Sequence, residues 1–315
     1  MFESLQRQLA RSDAWMALVV LLLAGCASSP ALPELPVALP ATVVLARVPF
    51  FPDDKDWCGP SALASSLSWA GHPVSPQELM PHVYSPDLHG SLPLDLIGAT
   101  RQQGLIPFLL PPDLSALLVE VAHDHPVLVL QKVGLLEGSW HYAVVIGYDL
   151  PTQTLWLHSG MKERLSEGFT EFEKFWSPGG NWALVITAAG TVPASATENA
   201  YLTQIAPLEK FAPALAAQGY HNALTRWPES YRAWMGLGAL AFQAHRYPEA
   251  LEDYQRVTRE HPGEGDAFNN LAETWRALGN LSAAREAITQ ALSLGGAHRP
   301  FYENTLKEIN EMKEK

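Results

Sequence analysis

Cys58 lies in Asp56-Trp57-Cys58-Gly59-Pro60-Ser61-Ala62-Leu63, and His141 lies eighty-three residues later in Trp140-His141-Tyr142-Ala143-Val144-Val145-Ile146-Gly147-Tyr148-Asp149. A thiol and an imidazole supply a nucleophile and its base near neutral pH. The sulfur attacks an acyl carbon and the ring moves the proton. The other cysteine, Cys26, belongs to an amino-terminal feature, so Cys58 is expected to lack an intramolecular partner. A cysteine can also pack inertly in a core, but the flanks Asp56 and Gly59 argue against a buried run.

Two elements must position the pair. Pro60 fixes its own φ and lacks an N–H, which suits the first turn of a helix, and Leu63, Leu67 and Ala70 share one face after it. Cys58 is then expected at the positive end of the helix dipole, with a lowered pKa and backbone N–H groups available for an oxyanion. The apolar run after His141 reads as a buried strand with the ring at its mouth. Pro151-Thr152-Gln153 turns it into a second strand, Leu155-Trp156-Leu157, to make a hairpin. A histidine at a strand start is by itself more often structural, and His141 gains its interest from Cys58.

The order Phe50-Phe51-Pro52, Cys58-Gly59-Pro60-Ser61-Ala62, Gly90-Ser91-Leu92 and the His141 strand resembles the papain-like cysteine peptidases related to the bacteriocin-leader-processing family, peptidase family thirty-nine of the cysteine class. It is most similar to a lipoprotein subgroup that joins this domain to tetratricopeptide repeats. The similarity covers about half of the chain. It implies an α+β domain in which Cys58 attacks a peptide carbonyl and His141 takes the thiol proton and returns it to the leaving amine. The Cys58 N–H would hold the oxyanion, and Trp57 and the stretch Asp87 to Leu94, with Gly90 and Ser91 in it, would border the substrate cleft. Two positions depart from the family pattern. The glutamine expected before the cysteine is replaced by the run from Pro52 to Trp57, with Asp53 at its place, where a carboxylate would repel the oxyanion; Lys55 is a possible substitute donor. The acid or amide expected after the second strand falls on His158 or Ser159, either of which can orient His141 by hydrogen bonding.

The amino terminus carries a different signal. Arg7 and Arg11 precede an apolar run from Ala14 to Ala24 that is short for a membrane span, and Leu23-Ala24-Gly25-Cys26 resembles a bacterial lipobox. By that resemblance residues 1–25 are a signal peptide and Cys26 is acylated. Ala27 stands where an aspartate would mark inner-membrane retention, so the expected location is the outer membrane, facing the periplasm. Residues 26–42 are rich in Pro and Ala and suit an extended tether. A formal charge of −12 makes nucleic acid an unsuitable partner.

A chain of 315 residues is expected to divide into domains. Strand-length apolar runs fill 43–190, a linker occupies 191–199, and a helical pattern fills 200–315. Trp234, Leu237, Gly238, Ala241, Ala250, Tyr254, Val257 and Pro262 recur thirty-four residues later as Phe268, Leu271, Ala272, Trp275, Ala284, Ile288, Ala291 and Gly296. This resembles the tetratricopeptide repeat, whose small residues let paired helices approach. One repeat earlier, Ala216, Tyr220, Ala223 and Pro228 fit, whereas Thr203, Gln204 and Pro207 do not, and a closing helix is expected from about Pro300 to Lys313. The expected fold is an α+β papain-like peptidase domain followed by an all-α repeat solenoid that recruits a protein partner or substrate. No cofactor and no metal are expected. His123-Asp124-His125 lacks a placed third ligand and reads as a solvated turn, and no glycine-rich phosphate loop is present. The expected function is a lipid-anchored periplasmic cysteine peptidase; the alternative is an inactive peptidase fold that binds proteins through its repeats.

Overall fold

The computed structural model describes residues 38–53, 56–134, 139–188 and 190–312. The signal and lipidation readings, Cys26 included, and most of the tether fall outside these residues, as does Lys55. Residues 36–315 form one compact unit.

The amino-terminal half runs β1 (Thr42–Val44), α1 (Cys58–Trp69), α2 (Pro76–Val83), α3 (Pro93–Gln102), β2 (Pro107–Leu109), α4 (Leu114–Ala122), β3 (Val127–Val133), β4 (Ser139–Asp149), β5 (Thr154–Ser159), β6 (Lys162–Gly168), α5 (Phe169–Trp176) and β7 (Ala183–Ile186). All seven strands pair antiparallel in the order β2-β7-β3-β4-β5-β6, with β1 added to β4. β4 is long enough to hold two neighbours along one edge, β3 over Ser139–Val145 and β1 over Gly147–Asp149. The expected hairpin is β4–β5. α1 lies against β4 with Leu63, Ala64 and Leu67 fully buried. Its buried face extends from Gly59 through Leu67 and includes Ser61, Ser65 and Ser66. Ser65 and Ser66 donate to the carbonyls of Ser61 and Ala62, which lets hydroxyls enter the core at little cost.

The carboxy-terminal half is α6 (Glu198–Ile205), α7 (Leu208–Phe211), α8 (Pro213–Arg226), α9 (Tyr231–Gln243), α10 (Tyr247–Glu260), α11 (Gly265–Ala277), α12 (Leu281–Leu294) and α13 (Arg299–Glu311). Helices α9 to α12 are the two regular hairpins of the thirty-four-residue period. Their small residues do what the pattern requires: Ala241, Ala250, Ala272 and Ala284 pack with Tyr254, Ile288 and Tyr302 in one core. The degenerate first unit is the pair α6–α7, interrupted at Ala206-Pro207, against α8. Gln204, which breaks the repeat pattern, has another task. Its Oε1 accepts the Leu109 N–H at 2.8 Å and its Nε2 donates to Leu109 O at 3.0 Å, on edge strand β2.

Further ties cross the expected linker. The carboxylate of Glu120, fully buried in α4, accepts the N–H groups of Ser195 at 2.6 Å and Ala194 at 3.2 Å. Arg226 from α8 donates to Pro193 O and Ala194 O at 2.7 and 3.1 Å. Residues 193–195, within the expected linker, are therefore clasped from both sides.

Candidate active site

α1 begins at Cys58 itself. The residue before it, Trp57, places no side chain on the helix end; its N–H donates to Asp53 Oδ1 at 3.1 Å. The Asp53 N–H in turn donates to Gly160 O at 3.1 Å, beyond β5. Asp53 is thus fixed from two directions in front of the helix. A Cβ at Gly59 would stand 2.3 Å from Ser91 Oγ, so the missing side chain is what lets the loop before α3 close on the helix start. Tyr142 OH holds that loop by donating to Ser91 O at 3.1 Å.

His141 stands in the part of β4 that precedes its pairing with β5, which starts at Val144. Its Nε2 lies 2.9 Å from Ser159 Oγ at the end of β5. That bond orients the ring and leaves Nδ1 as its other nitrogen. One donor atom from each of Asp53, Cys58 and His141 lies within 4.8 Å of the other two. The helix, the strand and the preceding loop therefore bring a thiol, an imidazole and a carboxylate to one point.

The electrostatics correct one expectation. The Cys58 thiol is pushed up from its ordinary value, not down: burial raises it most, and the Asp53 carboxylate adds to the rise. Backbone N–H groups of Tyr142, Gly59 and Cys58 itself pull the other way without winning. The helix start does supply donors, but a low-dielectric site beside an anion costs the thiolate more than they return. Burial also holds the His141 imidazole below its usual range, against the opposing pull of Asp53. Both shifts act against charge: the thiol is held towards its S–H form and the imidazole towards its neutral form.

Of the two candidate orienting residues, only Ser159 reaches His141. His158 points to the other face of β5, where its Nε2 lies 3.1 Å from Val48 O and its Nδ1 against Glu163 O, with the Phe50 ring at a centroid distance of 5.1 Å. It is a buried structural residue, and the reason is strand alternation: neighbours on β5 face opposite sides. Gly90 and Ser91 line a cleft beside Cys58 and His141. Trp57 does not; the residues that form the wall with them include Leu88, Leu92, Leu130 and Trp140. The cleft holds about 700 Å³ and opens over Cys58 and His141. Its rim exposes Leu88, Leu92 and Trp140, and His89 meets Asp56 at 3.4 Å across the mouth. Leu88 and Leu92 lie in the stretch named from sequence; Trp140 in the wall and the Tyr142 contacts were not found from sequence, although both residues flank His141. Elsewhere, the His123 and His125 rings are engaged by Val119 O at 2.8 Å and Glu120 at 2.6 Å.

Residues 45–184 match the model of the Peptidase_C39 like family, and 213–264 and 240–298 match that of the tetratricopeptide repeat. No curated protein matches the chain. Among solved structures, it is similar to a C39-like peptidase from Bacillus anthracis, at 18% identity and TM-score 0.39, over 46% of this chain and 97% of that one. It is also similar to the peptidase domain of Streptococcus ComA, a bi-functional ABC transporter, at 20% identity and TM-score 0.36, over 47% and 99%. A third is the TPR2B domain of yeast Sti1 in its pHsp70 complex, at 16% identity and TM-score 0.34, over 37% and 95%. The expected fold class stands: an α+β peptidase domain, then an all-α repeat array.

Proposed function

Since the chain joins a Peptidase_C39-like domain to tetratricopeptide repeats, we propose that it is a cysteine peptidase of the bacterial cell envelope, anchored by lipid at Cys26, which hydrolyses peptide bonds with Cys58 and His141. The observation that carries this reading is the meeting of Cys58 and Ser159-oriented His141 in the wall of an open cleft. An extended peptide lies along the cleft with apolar side chains against Leu88, Leu92 and Trp140. His141 Nδ1 takes the thiol proton as Sγ attacks the carbonyl, and backbone N–H at the start of α1 receives the oxyanion. The ring then protonates the leaving amine, and water releases the acyl group from sulfur. The repeats recruit the protein that is cut or one that delivers it, consistent with the general use of such arrays in protein contacts.

The test is the rate of Cys58 alkylation against pH in the chain and in His141→Ala, followed by cleavage assays on a peptide library. Alkylation near neutral pH should fall with the imidazole gone; a Cys58 indifferent to His141 would sink the reading. One observation favours the scaffold alternative: the Asp53 carboxylate faces the thiol where the family resemblance expects an amide. If Asp53→Asn and the native chain are equally inert towards every peptide, the scaffold reading takes over.

A further inference from the structure

Asp53, Cys58 and His141 are also a ligand set. We propose that these three side chains bind a single Zn²⁺ ion and that bound zinc blocks the thiol. The blocking role rests on the peptidase reading, whereas the binding stands on its own geometry.

Sulfur, nitrogen and oxygen donors converge here from α1, β4 and the loop before α1, all within 4.8 Å of one another. Tetrahedral zinc with ligands at about 2.0–2.3 Å places its donors roughly 3.5 Å apart, a closure that side-chain rotations can supply. A thiolate and a carboxylate balance the ion's two charges, and the thiolate selects zinc over the hard cations Mg²⁺ and Ca²⁺. The outer contacts are of the kind that orient metal ligands. His141 is held through its other nitrogen by Ser159 Oγ at 2.9 Å, and Asp53 Oδ1 by the Trp57 N–H at 3.1 Å. Three protein ligands leave a fourth position for water, and Ser91 Oγ, buried without a hydrogen-bond partner, is an unused polar group in the same wall. A cysteine and histidine with an amide in front would offer only two good ligands; Asp53 adds the third.

Binding breaks the Cys58 S–H bond and forms S–Zn, with the proton released to solvent and no change of oxidation state. The sulfur pair and the His141 Nδ1 pair are then both committed to the metal, so neither nucleophile nor base remains. Chelation reverses the step.

The experiment uses the full chain in mild detergent, stripped of metal and titrated with Zn²⁺ by equilibrium dialysis with elemental analysis. Co²⁺ serves as the spectroscopic probe through its thiolate charge-transfer band. We expect one zinc per chain, loss of the band in Cys58→Ser, and affinity lower by at least about tenfold in Asp53→Asn and in His141→Ala, since even outer-shell changes cost that much. The double variant His123→Ala/His125→Ala should bind like the native chain. Substoichiometric zinc, binding that survives Cys58→Ser, or an Asp53→Asn affinity equal to native would overturn the site. Alkylation of the metal-free chain separates the two ideas: it depends on His141 only if the peptidase pair works, whatever zinc does. Zinc that binds but leaves alkylation and cleavage unchanged would overturn the block.

Discussion

A Cβ at Gly236 would stand 2.3 Å from the Tyr220 ring, and one at Gly59 would stand 2.3 Å from Ser91 Oγ. Both glycines allow a close approach, yet they belong to opposite kinds of structure. Gly236 meets the helix just before its own, in an array whose rule recurs along the chain. Gly59 meets a loop that occurs once and whose position depends on the whole sheet. The repeat half is specified by local contacts used again and again, and the peptidase half by single encounters between distant segments. Substitutions should therefore have separable effects, on chemistry in one half and on packing in the other.

The sharpest separation is expected at Cys58. Replacing it with serine should lower peptide turnover by at least about a thousandfold, as losing a nucleophile does, while the thermal midpoint stays unchanged. Asp53→Asn should act in the opposite direction. Removing an anion beside the thiol and supplying an amide should raise turnover by about tenfold to a hundredfold, read with the same peptide and with alkylation at fixed pH. Gly236→Ala transfers the test to the repeats: overpacking against Tyr220 should cost about 1–3 kcal/mol in denaturant unfolding and leave the alkylation rate of Cys58 as it is. Ser159→Ala should lower kcat by about tenfold, the worth of one orienting hydrogen bond, with KM little changed and Ser159→Asn restoring part of the loss.

The smallest effect is one of pH. Burial alone would raise the Glu120 carboxyl, but hydrogen bonds from His125 and Ser195 outweigh it and hold the group below its ordinary value of 4.5. A lowered folded pKa means that this stability is present above 4.5 and is lost as pH falls through the folded value. Acid should thus loosen the clasp on residues 194 and 195 first, as faster amide exchange at those two N–H groups. Glu120→Gln should flatten that dependence.

These contrasts also explain what could be read from the chain. The thirty-four-residue recurrence needed only spacing, and the helices follow it from Tyr231 to Leu294. The Cys58 helix and the His141 hairpin were legible because proline at a first turn and an uninterrupted apolar run are local signals. The ambiguity between His158 and Ser159 was not resolvable from types alone. It depends on which side of the sheet each β5 side chain takes, a matter of register. The direction of the Cys58 shift was misread because a helix start is local, whereas the burial and the Asp53 carboxylate that outweigh it come from tertiary structure. Gln204 shows the converse: a misfit in the repeat pattern marks a residue serving the other half of the molecule.

That glutamine has a consequence for the solution behaviour of the chain. β2 is the outer strand of its sheet, and an outer strand with open N–H and C=O groups is a template on which another molecule can pair. By occupying both main-chain groups of Leu109, the Gln204 amide imitates one rung of a neighbouring strand and ends the ladder there. The helix that carries Gln204 thereby covers this end of the sheet, so shortening the protein to its sheet half would uncover the Leu109 edge.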